Sequence, residues 1–167
     1  MKFTDEHVFE QPLDVVRKAY FDPEFAPKKY AALGLQDIKV TAQGKTGDES
    51  FVTCRFKMLP TINVPGFAQK FIKQDKPVGV QQTDRWNTTT NTGSLLVELA
   101  GMTSVTSLEC QMTLEKHSKG TVNRMSWSVE CKVPLIGGKL AKLLAEDIQQ
   151  KSEADRQATA EILKSYA

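Results

Sequence analysis

Hydrophobic positions recur every second residue through the middle of this chain and every third or fourth residue near its C-terminus. The clearest alternation runs from 121 to 133. Met125, Trp127, Val129, Cys131 and Val133 face one way, and Arg124, Ser126, Ser128, Glu130 and Lys132 the other. Residues 49 to 58 set Val52, Cys54, Phe56 and Met58 against Thr53, Arg55 and Lys57, and residues 104 to 115 set Leu108, Cys110, Met112 and Leu114 against polar neighbours. Residues 35 to 43, 78 to 87 and the run Leu95, Val97, Leu99 complete the set, with Thr92-Gly93 and Lys119-Gly120 as turns. One dry and one wet face per strand is the signature of an antiparallel sheet. Several runs exceed ten residues, against a usual strand of about 5–6. Long strands joined by short turns predict a twisted, curved meander.

The ends read differently. Residues 2 to 9 carry strand formers up to Gln11-Pro12. Pro12 suits a first helical turn, followed by Val15, Val16, Ala19 and Tyr20 at helical spacing. Asp22-Pro23 breaks that helix, and Asp22 is placed to cap a second one over 24 to 33, stopped by Gly34. A final helix is predicted over 134 to 166, roughly 50 Å long. Its apolar stripe is Leu140, Leu143, Leu144 and Ile148, resumed by Ala158, Ile162 and Tyr166. Lys151 and Asp155 interrupt the stripe, and their spacing predicts that they pair with each other at the solvent edge.

Composition narrows the function classes. The length of 167 residues suits one domain spanning 1–167, large enough to bury a core without staples. With 22 basic and 20 acidic residues, the balance gives no electrostatic footprint for nucleic acid. Cys54, Cys110 and Cys131 are odd in number and widely spaced, which predicts reduced, buried thiols. The first residues carry no apolar stretch of a signal peptide, and no run approaches the ~20 apolar residues of a membrane span. A cytoplasmic location is expected. His7 and His117 lack metal-ligand spacing partners, and Gly137-Gly138-Lys139 lacks the upstream glycine of a phosphate loop. No metal or cofactor is expected, and the two glycines read as positions of close helix–strand approach.

The order strand, two short helices, long meander, terminal helix resembles the α+β helix-grip fold of the START-like (Bet v 1-like, SRPBCC) superfamily. Within it the chain resembles a bacterial family, DUF2505. The likeness rests on Asp22-Pro23-Glu24 with Ala31-Ala32-Leu33-Gly34, on Val64-Pro65-Gly66, on Gln82-Thr83-Asp84-Arg85-Trp86 and on the segment from Val133 to Leu140. The family pattern more often has glutamate where Asp84 stands. The resemblance implies a curved sheet wrapped around the C-terminal helix, with a cavity between them for apolar ligands such as lipids. The superfamily also contains aromatases and cyclases.

Such a cavity would be lined by the dry strand faces and the helix stripe: Phe56, Met58, Val80, Trp86, Leu108, Met112, Met125, Trp127, Leu140 and Leu144. Methionine and tryptophan on a concave wall make an adaptable apolar site, although the same residues also suit a solid core. Gln82 and Asp84 fall on the same side as Val80 and Trp86. A buried carboxylate needs partners, so Asp84 is either a polar anchor for a ligand, a structurally neutralised group, or a residue near a sheet edge. Residues 60 to 76 form a connector in which Phe67, Phe71 and Ile72 sit beside Lys70, Lys73 and Lys76. It reads as a lid whose apolar side plugs the barrel, and on a short helix 65 to 76 also suits transient contact with an anionic membrane surface. Binding or carriage of a small apolar or amphipathic molecule without chemistry is the leading expectation. The alternatives are a cyclase-, aromatase- or hydrolase-like enzyme with Asp84 as acid or base, and a protein-interaction module with a filled core.

Overall fold

The computed structural model describes all 167 residues. Seven strands form one antiparallel sheet in the order β1-β7-β6-β5-β4-β3-β2. They are β1 (Lys2–Phe9), β2 (Gln36–Thr46), β3 (Glu49–Met58), β4 (Val78–Asn87), β5 (Thr92–Leu99), β6 (Thr106–His117) and β7 (Gly120–Cys131). Two short helices, α1 (Leu13–Tyr20) and α2 (Phe25–Ala32), bridge the outer strands β1 and β2. The long helix α3 (Gly137–Leu163) packs on the concave face and ends in a 3-10 turn over Lys164–Tyr166. This is the helix-grip arrangement expected from the sequence.

Register follows the alternation. Trp127 of β7 lies opposite Cys110 of β6 and Phe3 of β1, and the Phe3 and Trp127 rings stack at 6.0 Å. Asp84 sits opposite Val52 of β3 and Leu95 of β5, so β4 is an interior strand and the edge reading for Asp84 is excluded. Strand β2 is the irregular one. Two register shifts interrupt its pairing with β3, and Asp37 adopts φ 54°. Bulges of this kind blunt an open edge against further pairing.

Helix α3 is shorter than predicted, about 40 Å, because its first predicted turn does not form. Leu135 has φ 70° and Ile136 is not helical (φ −118°, ψ 0°). A leucine in the left-handed region costs about 1–2 kcal/mol, and Leu135 is also fully exposed. The expected close approach is made by Gly137 alone. A β-carbon there would collide with the Cys131 carbonyl oxygen, whereas one on Gly138 would meet nothing within 4 Å.

The buried apolar side chains fall into two groups. One gathers Phe56, Val80, Leu99, Leu108, Leu140 and Leu144 at the end where α3 begins. The other gathers Phe9, Tyr20, Trp86, Met112, Met125, Trp127 and Leu163 where α3 ends. The second half of the stripe is rotated from its predicted position. Thr159 and Leu163 are the fully buried residues, while Ala158, Ile162 and Tyr166 are half-buried. Spacing continues inward through Ser152, Asp155, Thr159 and Leu163; Ser152 meets Asp5 and His7 of β1, and Asp155 meets Lys29 of α2. No helix is long and apolar enough to cross a membrane. Cys54 and Cys110 are buried free thiols, and Cys131 is half-buried.

Candidate functional site

A cavity of about 50 Å³ lies between the sheet and the first half of α3. Met58, Val78, Val80 and Leu99 form its floor at the ends of β3, β4 and β5, and Leu143 and Leu144 of α3 form one wall. The connector between β3 and β4 covers it with Ile62, Val64 and Ile72. Pro60, Asp147 and Lys151 complete the lining, the last two being its charged members. The volume is above the ~10–15 Å³ that admits one water, yet well below the ~300–1,000 Å³ of ordinary ligand pockets. It has room for a few heavy atoms.

The connector is not the short helix expected. Its regular structure is one 3-10 turn, Gly66–Ala68, and the rest is held by side chains. Gln74 clasps the segment internally, accepting from the Val64 amide at 2.5 Å and donating to the Ile62 carbonyl at 3.0 Å. Its hydrogen bonds to α3 go to Asp147, which accepts from both the amide and the hydroxyl of Thr61 at 2.7 Å. Lys151 donates to the other Asp147 oxygen at 2.5 Å and lies 3.6 Å from the Met58 sulfur. The predicted Lys151–Asp155 pair is therefore replaced by Asp147–Lys151, also four residues apart but one turn earlier.

Asp155 instead turns toward the interior. Its carboxylate lies 3.2 Å from Lys29 Nζ of α2 and 3.8 Å from His7 Nδ1 of β1. His7 Nε2 is 2.9 Å from Ser152 Oγ, which itself donates to Asp5. Lys29 is almost completely buried. Burial opposes its charge, but Asp155, with Tyr20 and Asp84 beyond, outweighs burial and holds its pKa above the usual lysine range. For His7 burial wins over the attraction of Asp155 and Asp5, so its pKa is lowered. Serine, histidine and aspartate thus meet as in a hydrolase triad, yet the arrangement is not poised for attack. The Ser152 proton is committed to Asp5, and 3.8 Å is too long for a His7–Asp155 hydrogen bond. Sequence reasoning missed this cluster because its members come from β1, α2 and α3. The available signal was Ser152, Asp155 and Thr159 at helical spacing on one face.

Asp84 is buried between the two apolar groups, with partners. Tyr30 Oη donates to Asp84 Oδ1 at 3.2 Å, and Gln82 Nε2 donates to the same oxygen at 3.3 Å. Burial pushes the Asp84 carboxyl up, partly offset by Lys29 and by these two hydrogen bonds. The Tyr30 hydroxyl is pushed well up by burial and by Asp84. The Tyr30 ring packs on Phe56 at 4.6 Å between centroids, so Asp84 faces the α2 side and not the cavity beneath the connector. Asp84 and Trp86 border a separate gap of about 10 Å³ beside Tyr20, Asp22 and Phe25.

Of the expected lining, Met58, Val80 and Leu144 face the cavity. Phe56, Leu108 and Leu140 pack in the core around it, and Met112, Met125, Trp86 and Trp127 pack in the other group toward the far end of α3. Phe71 is half-buried against the first group. Phe67 points outward, 39% exposed, with Lys139 Nζ 5.7 Å from its ring centre. Ile62, Val64, Ile72, Val78 and Leu143 also line the cavity and were not among the expected lining residues.

Solved structures share this architecture at low sequence identity. TTHA0849 from Thermus thermophilus matches with a TM-score of 0.68 at 16% identity, covering 100% of this chain and 99% of that one. Ara h 8.0201 matches at 0.61 and 16%, covering 99% and 98%. The Zhui aromatase/cyclase from Streptomyces sp. R1128 matches at 0.61 and 9%, covering 98% and 92%. At these identities the likeness establishes the fold. No curated protein matches the sequence. One family model does match, over residues 4–163, and its description is "Protein of unknown function (DUF2505)". On that match, spanning nearly the whole length, the chain belongs to the DUF2505 family.

Proposed function

We propose that the protein, acting as one START-like unit, binds a small apolar or amphipathic molecule between its sheet and α3 and admits it by moving the 59–77 connector. The carrying observation is the location of the cavity. The apolar space lies directly under the connector, whose regular structure is a single 3-10 turn and whose hydrogen bonds to α3 all go to one carboxylate, that of Asp147. Displacing the connector exposes Met58, Val80 and Leu144 and unites the cavity with the space that Ile62, Val64 and Ile72 now occupy. Binding energy comes mainly from apolar burial, at about 25 cal/mol per Å² before entropic costs. Asp147 and Lys151 at the rim suit the polar end of an amphipathic molecule. The similarity to an aromatase/cyclase supports the fold of such a container and assigns no reaction here.

A catalytic reading rests on Asp84, whose raised pKa suits an acid. Its shielding by Tyr30 and Phe56 argues for a structural role in the closed form. Native mass spectrometry of protein from its own host tests the binding reading, with a co-purified molecule as the expected result. Leu144→Trp, which fills the cavity, should abolish that adduct and weaken the binding of anilinonaphthalene sulfonate. Unchanged probe binding with no adduct in either protein would leave a filled core and favour an interaction module. With the molecule identified, Asp84→Asn should leave it chemically unaltered; loss of a turnover shown by the native protein would support the enzyme instead.

A further inference from the structure

Exposed apolar side chains and lysines gather at the end of the molecule where α3 begins. Leu135 is fully exposed, and Leu59 and Phe67 are substantially exposed on the connector. Lys139, one turn along from Leu135, reaches the Phe67 ring and brings connector and helix start together. Over 59–77 and 132–142 the charged residues are Lys70, Lys73, Lys76, Lys132, Lys139 and Lys142, with Asp75 as the single carboxylate. These segments carry +5 in a chain of net +2, so the remainder is −3. All six lysines are exposed.

Neither feature is explained by folding. Leu135 combines a left-handed backbone with complete exposure, so the fold would be more relaxed with glycine there. Lys139 and Lys142 stand in the first two turns of α3, where the helix dipole disfavours cations, and its first turn carries no acidic residue. An apolar side chain held out among lysines gains a favourable environment at an anionic bilayer surface, where the leucine enters the acyl boundary and the lysines meet phosphates.

We propose that this end is a membrane-docking face, with Leu135 as the inserted anchor, Phe67 beside it and the lysines of both segments on anionic headgroups. The inference is independent of whether the cavity holds a ligand. Flotation of the purified full chain tests it, using vesicles of phosphatidylcholine alone and of equal parts phosphatidylcholine and phosphatidylglycerol. The protein should float with the anionic vesicles only and detach as salt rises. Leu135→Gly relieves the backbone, so it should melt no lower than the native protein while binding about tenfold more weakly. Lys139→Glu with Lys142→Glu should remove the preference for anionic vesicles. Failure of the native protein to float with anionic vesicles at low salt overturns the proposal, as does full binding by a folded Leu135→Gly.

Discussion

Lys29, Asp155 and His7 carry an energetic asymmetry that neither sequence position nor burial alone conveys. Lys29 is nearly inaccessible, whereas the Asp155 side chain keeps 33% of its exposure. Asp155→Ala strands a buried ammonium and should cost about 3 kcal/mol in urea unfolding. Lys29→Met leaves Asp155 with access to water and takes from Asp84 only part of what offsets its burial, so it should cost less, about 1–2 kcal/mol. Equal losses from the two substitutions would contradict this asymmetry. His7 adds a pH dependence. Its folded pKa lies below 6.5, so the unfolded chain binds more protons between the two values. Its contribution is complete above pH 6.5 and is lost as pH falls from 6.5 through the folded pKa. His7→Phe should flatten that part of the stability profile, and proton NMR of His7 should show titration below 6.5. A midpoint above 6.5 would reverse the sign. None of these contacts was legible from the sequence, because Lys29 and Asp155 are distant in the chain and only the packing of α2 against α3 joins them. The need of Asp84 for partners was legible; Tyr30, on another element, was not.

Elements with a strong local period were read nearly to the residue: β1, β3 and β4 match the predicted bounds, and the other strands differ by a few positions. The failures share a cause, in that apolar identity was followed where geometry decided otherwise. Ala158, Ile162 and Tyr166 looked like the stripe because they are apolar, yet the inward face of α3 runs through Ser152, Asp155 and Thr159. The interleaved apolar and basic residues of the connector suit a short helix, yet they form a single 3-10 turn and are otherwise held by side-chain bonds from Gln74 and Asp147. Its attachment to α3 gives an element-scale prediction. Asp147→Ala removes both Thr61 bonds and the Lys151 partner, and hydrogen exchange should speed up across 61–72 while the amides of β6 and β7 stay protected. Uniform acceleration through the whole sheet would show that the connector is bound into the global unfolding unit. Gly137→Ala would force apart the approach of α3 to Cys131 and should lower stability by about 1–3 kcal/mol, measured by thermal or urea unfolding.

At the scale of the whole molecule, polar residues cross the interior between the two apolar groups. On β4 they are Gln82 and Asp84, between Val80 and Trp86; on α3 they are Ser152, Asp155 and Thr159, between Leu144 and Leu163; on β1 it is His7, ahead of Phe9. Hydrogen-bonded side chains in such a belt hold their neighbours in fixed directions but transmit little of the volume change that would accompany loosening on one side. The half that ends at Tyr166 is fastened independently, by the Tyr166 hydroxyl on Asp22 and by Tyr20 packed against Trp86. The half under the connector has no such fastening beyond Asp147 and its own packing. Under the proposed binding role, opening the side beneath the connector breaks the Thr61–Asp147 bonds and leaves the Tyr166–Asp22 clasp at the other end intact.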